Sequence, residues 1–194
     1  GEAGVYLTVL ADLLADLFDD VRVTLPDRSQ SAAVKGNNDM VALIANAIRD
    51  RERPLREDLS VGFGLVRLRI TVAESRQIVR EARRRYRRHN AARSYVENEF
   101  FATLARSHHS EPDPENVQYR LRRDPRISEA LERMWPVLTP AQLLRDLFGS
   151  KALLASASTG LLSEDEWSTL FRPREDSASD YRWSDADVPL LDEA

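Results

Sequence analysis

Apolar residues recur at steps of three and four over most of the chain and at steps of two in two short stretches, a pattern of helices around a small β element. Tyr6, Leu10, Leu13, Leu14, Leu17 and Phe18 share one helical stripe and predict a helix over 5–19. Val21, Val23 and Leu25 then alternate with polar residues before Pro26, which predicts a short half-buried strand at 21–25. After the loop "DRSQS", Met40, Leu43, Ile44, Ala47 and Ile48 form one face of a second helix, with Asn38 or Asp39 as its cap and Pro54 as its stop. The stretch "LSVGFGLVRLRIT" alternates at Leu59, Val61 and Phe63 and again through Leu65, Leu68 and Ile70. Gly62 and Gly64 allow either one bent strand or a hairpin, which with 21–25 would make a sheet of two or three strands.

From Thr71 the chain is helical in character. Thr71 and Glu74 have capping-box spacing, and Ile78, Val79, Ala82 and Tyr86 are expected to face inward. Tyr95, Val96, Phe100 and Leu104 repeat the pattern until the prolines of "SEPDPEN" break it. Shorter helices are expected at about 114–123, 126–137 and 139–157, the last interrupted near Gly149, and Ser163 opens another. Residues 172–186 are polar and aperiodic and read as a loop. The fold class is therefore α+β, mainly α: a helical domain over 1–171 with a small antiparallel β element at about 21–25 and 59–71. An acidic loop and the start of a further helix follow over 172–194.

A chain of 194 residues with 42% hydrophobic content buries a core of ordinary size. No apolar run approaches the eighteen or so residues of a membrane span, and the N-terminus has no secretory pattern, so the expected location is cytoplasmic, with no membrane partner. The absence of cysteine excludes disulfides and thiolate metal sites. The net charge of −4 is uneven: eight Arg face one acid between Arg76 and Arg93, whereas ten acids face three Arg from Ser163 onward.

The closing "DVPLLDEA" has the outline of an ATPase strand that ends in Asp-Glu and holds magnesium. Pro189 has no N–H for a sheet ladder and is expelled from central strands, and no phosphate-cradling GxxxxGK[ST] occurs in the chain. A helix start with Asp187 as cap accounts for every residue of the stretch. His108 and His109 are adjacent in a polar loop, the wrong spacing for two ligands on one helical face. No catalytic, cofactor-binding or metal-binding residue is assigned, and this chain by itself is not expected to be an enzyme. Arg80, Arg84, Arg87 and Arg88 recur at helical steps and would line one side of a helix. Such a stripe suits nucleic-acid phosphates, an acidic protein surface, or salt bridges to the chain's own acids.

Four stretches taken together, "GEAGV", "AAVKGNNDMVALIANAIRDR", "ERMWPVLTPAQLLRDLFGSKALLASA" and "WSDADVPLLDEA", resemble the region inserted into the first motor domain of actinobacterial HelD-type proteins, the HelR branch included. These are superfamily 1, UvrD-like ATPases that bind and recycle RNA polymerase. The resemblance runs over nearly the whole chain and is carried by order and spacing. It implies a fragment whose ATP- and magnesium-binding motifs lie outside it, so no cofactor belongs to these residues. It also implies core RNA polymerase as partner, with the insertion wedged into the primary channel to open the clamp, and in HelR relatives a link to displacing rifamycin. Carried over by position, Asp176, Asp180, Asp185 and Asp187 would offer carboxylates to the polymerase active centre, while Tyr181 and Trp183 anchor the tip. The rival reading is a helical nucleic-acid-binding domain of a DNA helicase that uses the arginine stripe.

Overall fold

The structure is a computed structural model that describes residues 23–25, 30–173 and 182–193. In chain order its elements are β1 (Val23–Leu25), α1 (Gln30–Lys35), α2 (Asp39–Arg49), β2 (Leu59–Phe63), β3 (Val66–Ile70), α3 (Val72–Arg85), α4 (Arg93–Arg106), α5 (Pro114–Leu121), α6 (Pro125–Met134), α7 (Pro140–Phe148), α8 (Lys151–Ala157), α9 (Glu164–Leu170), β4 (Trp183–Ser184) and α10 (Val188–Glu193). Short 3-10 turns at Asn90–Ala92 and Asp185–Asp187 lead into α4 and α10. The chain is mainly helical with a small antiparallel sheet. Among the described residues no helix is long and apolar enough to cross a membrane. The helix expected over 5–19 lies outside the described residues.

Two compact units divide the chain, residues 51–138 and the flanking segments 1–50 with 139–194. In the 51–138 unit, β2 and β3 form the hairpin the alternation predicts, with Leu59 opposite Ile70 and Phe63 opposite Val66. Val61, Leu68 and Ile70 face the core, whereas Leu65, which the alternation places in the strand, occupies the turn and is fully exposed. Gly64 has φ +62°, a left-handed conformation that ends one strand and restarts the alternation one residue later. Helix α4 lies at the centre, touching α3, α5, α6 and β3, and buries Val96, Phe100, Phe101 and Leu104. Burial over so much of its circumference is why its sequence is apolar beyond a single stripe.

The flanking unit packs α2 through Met40, Leu43 and Ile44 with α8 and α10, and α7 through Leu144 and Leu147 with the same pair. The expected helix over 139–157 is two helices: α7 ends at Phe148, and Ser150 caps α8 by accepting from Leu153 N–H. Strand β1 does not join the hairpin; it pairs in parallel with β4, Val23 opposite Trp183 and Leu25 opposite Ser184. Helix α1 begins inside the "DRSQS" read as loop, at Gln30 and Ser31, and is too short to show an apolar period.

Caps set most helix starts. Thr71 with Glu74, and Ser163 with Glu166, form complete capping boxes, and Asp113, Asp124 and Thr139 each precede a proline at the first helical position. Asp124 accepts from Arg126 N–H at 3.0 Å, and hydrogen bonds from the Arg126 guanidinium, followed by that amide, hold its carboxyl below the usual carboxylate range. A carboxyl lowered in the folded state contributes stability above its unfolded pKa and loses it as pH falls through the folded one. Asp124→Ala is therefore expected to cost about 1 kcal/mol near neutrality, with the difference from wild type shrinking below about pH 4. Urea unfolding across pH measures both, and a difference that does not change with pH contradicts this account.

Candidate functional site

Charge divides between the two units. Residues 51–138 contain nineteen arginines, no lysine and thirteen carboxylates, a surplus of six positive charges. The flanking segments contain nine basic and nineteen acidic residues, a deficit of ten. The arginine-rich unit is thus the one equipped to meet an anionic partner.

The predicted arginine stripe is only half helical. Arg80 and Arg84 lie on the exposed side of α3, but the helix ends at Arg85 and Tyr86 is extended (φ −118°, ψ 131°), so Arg87 and Arg88 belong to the following turn. Tyr86 is accordingly 37% exposed and not part of the core. The physical cause is His89. Its Nδ1 meets Glu52 Oε1 at 3.0 Å, its Nε2 meets the Pro136 carbonyl at 2.7 Å, and its ring stacks on Trp135 with centroids 4.9 Å apart. Trp135 Nε1 returns a hydrogen bond to the His89 carbonyl at 2.8 Å, and Arg83 joins from α3 through Glu52 Oε2 at 2.6 Å. These contacts outweigh the helical preference of the run 86–88 and pull the chain off the α3 axis.

Carboxylates neutralise part of the arginine surface. Glu81 receives Arg84 at 2.7 Å and Arg85 at 3.6 Å, and the Arg84 hydrogen bond holds its carboxyl low. Asp58 accepts from Val72 N–H at 2.8 Å and pairs with Arg69, and these contacts, the amide first, lower its pKa. Among the described residues of 51–138, Arg56, Arg67, Arg76, Arg80, Arg87, Arg88, Arg120, Arg122, Arg123 and Arg133 have no carboxylate within ion-pair distance. Four of these ten, Arg67 with Arg120, Arg122 and Arg123, belong to the β2–β3 hairpin and to α5 and the turn after it. The Arg120 guanidinium lies 4.3 Å from the Phe63 ring centroid, which joins the end of α5 to the hairpin tip. Leu65 and the 72% exposed Tyr119 project there, and Arg122 lies 5.5 Å from the Tyr119 ring. Sequence periodicity passed over this cluster because it combines a turn with the outer face of a short helix. The signal available was the Gly64-Leu65 pair, an apolar residue directly after a turn glycine.

The acidic residues singled out from the sequence separate. Asp176, Asp180 and Tyr181 lie outside the described residues. Trp183 is buried within β4, and Asp185 is half-buried at the start of the 3-10 turn. Asp187 has no accessible side chain and is not the cap of the last helix; it is the third residue after the cap Ser184, whose N–H and Oγ approach Asp187 Oδ2 at 2.8 and 2.9 Å. Its Oδ1 pairs with Lys35 Nζ at 3.0 Å, and both its oxygens accept from Arg172 Nη2 at 3.0 and 2.9 Å. A carboxylate so enclosed offers no oxygen to a partner's metal, and Trp183 anchors the fold from inside. The stretch "DVPLLDEA" is helical from Val188 to Glu193, as the proline argument requires.

No protein-family model matches the chain, and no curated protein matches it. Removing the Asp187 charge breaks its buried pair with Lys35, so Asp187→Asn is expected to cost about 3–5 kcal/mol. The joint replacement Lys35→Met with Asp187→Leu is expected to cost less than Asp187→Asn. Denaturation followed by tryptophan fluorescence tests both, and a near-neutral Asp187→Asn overturns the structural role.

Proposed function

We propose that the chain is a cytoplasmic docking module that binds core RNA polymerase and favours its open clamp, as part of a HelD-type recycling ATPase. The order and spacing of the four sequence stretches support this reading, and the structural observation that carries it is the opposite charge of the two units. An arginine surface with more guanidinium groups than carboxylates gains from an acidic partner, and guanidinium forks match carboxylates two bonds at a time. Clamp opening follows from differential binding: a module whose bulk fits only the open form shifts the equilibrium by its affinity difference for the two forms. Nucleotide hydrolysis would belong to residues outside this chain.

With Asp187 and Trp183 buried and Arg172 tied to Asp187, the carboxylates of this reading that would reach the partner's catalytic magnesium are Asp176, Asp180 and the half-buried Asp185, with Tyr181 as the aromatic anchor. Arg172 and Trp183 are fixed points on either side of Asp176, Asp180 and Tyr181.

Pull-down of core polymerase by the 194-residue chain is the direct test, and the expected result is capture that weakens as salt rises. In the full-length protein, Asp176→Asn with Asp180→Asn is expected to slow release of stalled polymerase while leaving binding intact. Lack of capture sinks the docking reading; unchanged release sinks the acidic tip alone.

A further inference from the structure

The hairpin tip and the outer face of α5 combine three features, two of which the docking reading leaves unused. Leu65 is 106% exposed at a turn whose geometry Gly64 sets, although turn positions of this kind ordinarily carry polar residues. Every other apolar residue of the hairpin is buried or half-buried. On α5, Val117 and Leu121 face the core and Tyr119 stands out on the opposite side, 72% exposed. The third feature is charge: Arg67, Arg120, Arg122 and Arg123 have no carboxylate partner among the described residues, whereas the neighbouring Arg69 and Arg126 are paired with Asp58 and Asp124. Arg120, stacked on Phe63 and 4.0 Å from where a Cβ on Gly64 would lie, makes tip and helix one surface.

We propose that this surface binds single-stranded nucleic acid, with base faces against Tyr119 and Leu65 and phosphates on Arg120, Arg122 and Arg123. Phosphates supply the anions that these three guanidinium groups can fork onto, and unpaired bases supply flat apolar faces. The two apolar groups are each exposed. A folded protein would need an acid-rimmed hollow for each, whereas a flexible strand can drape over both. An intact duplex would satisfy the arginines but hide its base faces from Leu65 and Tyr119. The inference stands apart from the docking reading, since it requires no polymerase.

Fluorescence anisotropy of the 194-residue chain with a labelled oligothymidylate of about 15 nucleotides tests it, between about 50 and 200 mM salt. Binding is expected, weakening as salt rises. Tyr119→Ala is expected to weaken it about 5- to 150-fold at fixed salt with an unchanged salt slope, and Tyr119→Phe to retain it. Leu65→Ser is expected to weaken it in the same way. Converting Arg120, Arg122 and Arg123 to Gln is expected to lower the log–log salt slope by about 2. These side chains are exposed, and circular dichroism shows whether each variant keeps its fold. Four results overturn the proposal: no binding at the lowest salt, folded Tyr119→Ala and Leu65→Ser variants that bind like wild type, preference for a duplex of equal length, or equal displacement by a polyglutamate peptide.

Discussion

A single carboxylate without access to water holds together four parts of the unit formed by the chain's two ends. Asp187 draws in Lys35 from α1, Arg172 from beyond α9, and the cap Ser184 at the end of β4, and it leads into α10. Dehydrating these charges costs several kcal/mol each, and only a nearly complete set of donors offsets it. The interaction therefore tolerates few alternative arrangements. Lys35 and Asp187 are far apart in sequence, so closing the network brings the two ends of the chain into one unit. Arg172 contributes twice, since its backbone N–H also donates to the Phe148 carbonyl at 2.9 Å and so fastens the chain to the end of α7.

The 51–138 unit depends on a second polar knot at the edge of an apolar core. Glu52, Arg83, His89 and Trp135 tie the segment before the hairpin, the end of α3 and the end of α6 to one another. Arg93 reinforces the same corner by donating to the Leu131 and Trp135 carbonyls from the first turn of α4. Because the knot ends α3 at Arg85, it also determines which arginines share a helical face and which turn away. The outer surface is thus arranged by contacts made inside.

Features governed by neighbours in sequence were legible from the residues alone. The helices over 39–49, 72–85 and 114–121, the capping boxes at Thr71 and Ser163, and the hairpin at 59–70 all rest on interactions spanning a few residues. Features decided by distant contacts were not. Strand β1 looked like a partner for the hairpin because its alternation says nothing of which strand it meets, and the two residues of β4 are too few to signal themselves. Tyr86 suits a helical stripe, but His89, three residues on, overrides it through Glu52 and Trp135. The candidate site divides in the same way. Ten carboxylates near the end of the chain read as one acidic surface, and only the positions of Lys35 and Arg172 single out Asp187 as an interior group. Leu65 had the apolar character of a strand residue, and the two-residue turn it forms with Gly64 puts it at the tip.

All the positive side chains of residues 51–138 are guanidinium groups; both lysines of the chain lie in the other unit, Lys35 enclosed and Lys151 exposed. A guanidinium stays protonated throughout the physiological range and is not a substrate for lysine acetylation. The basic surface consequently keeps its charge through changes of pH and of acetyl-donor supply that would discharge a lysine-built one, and amine-directed labels leave it untouched.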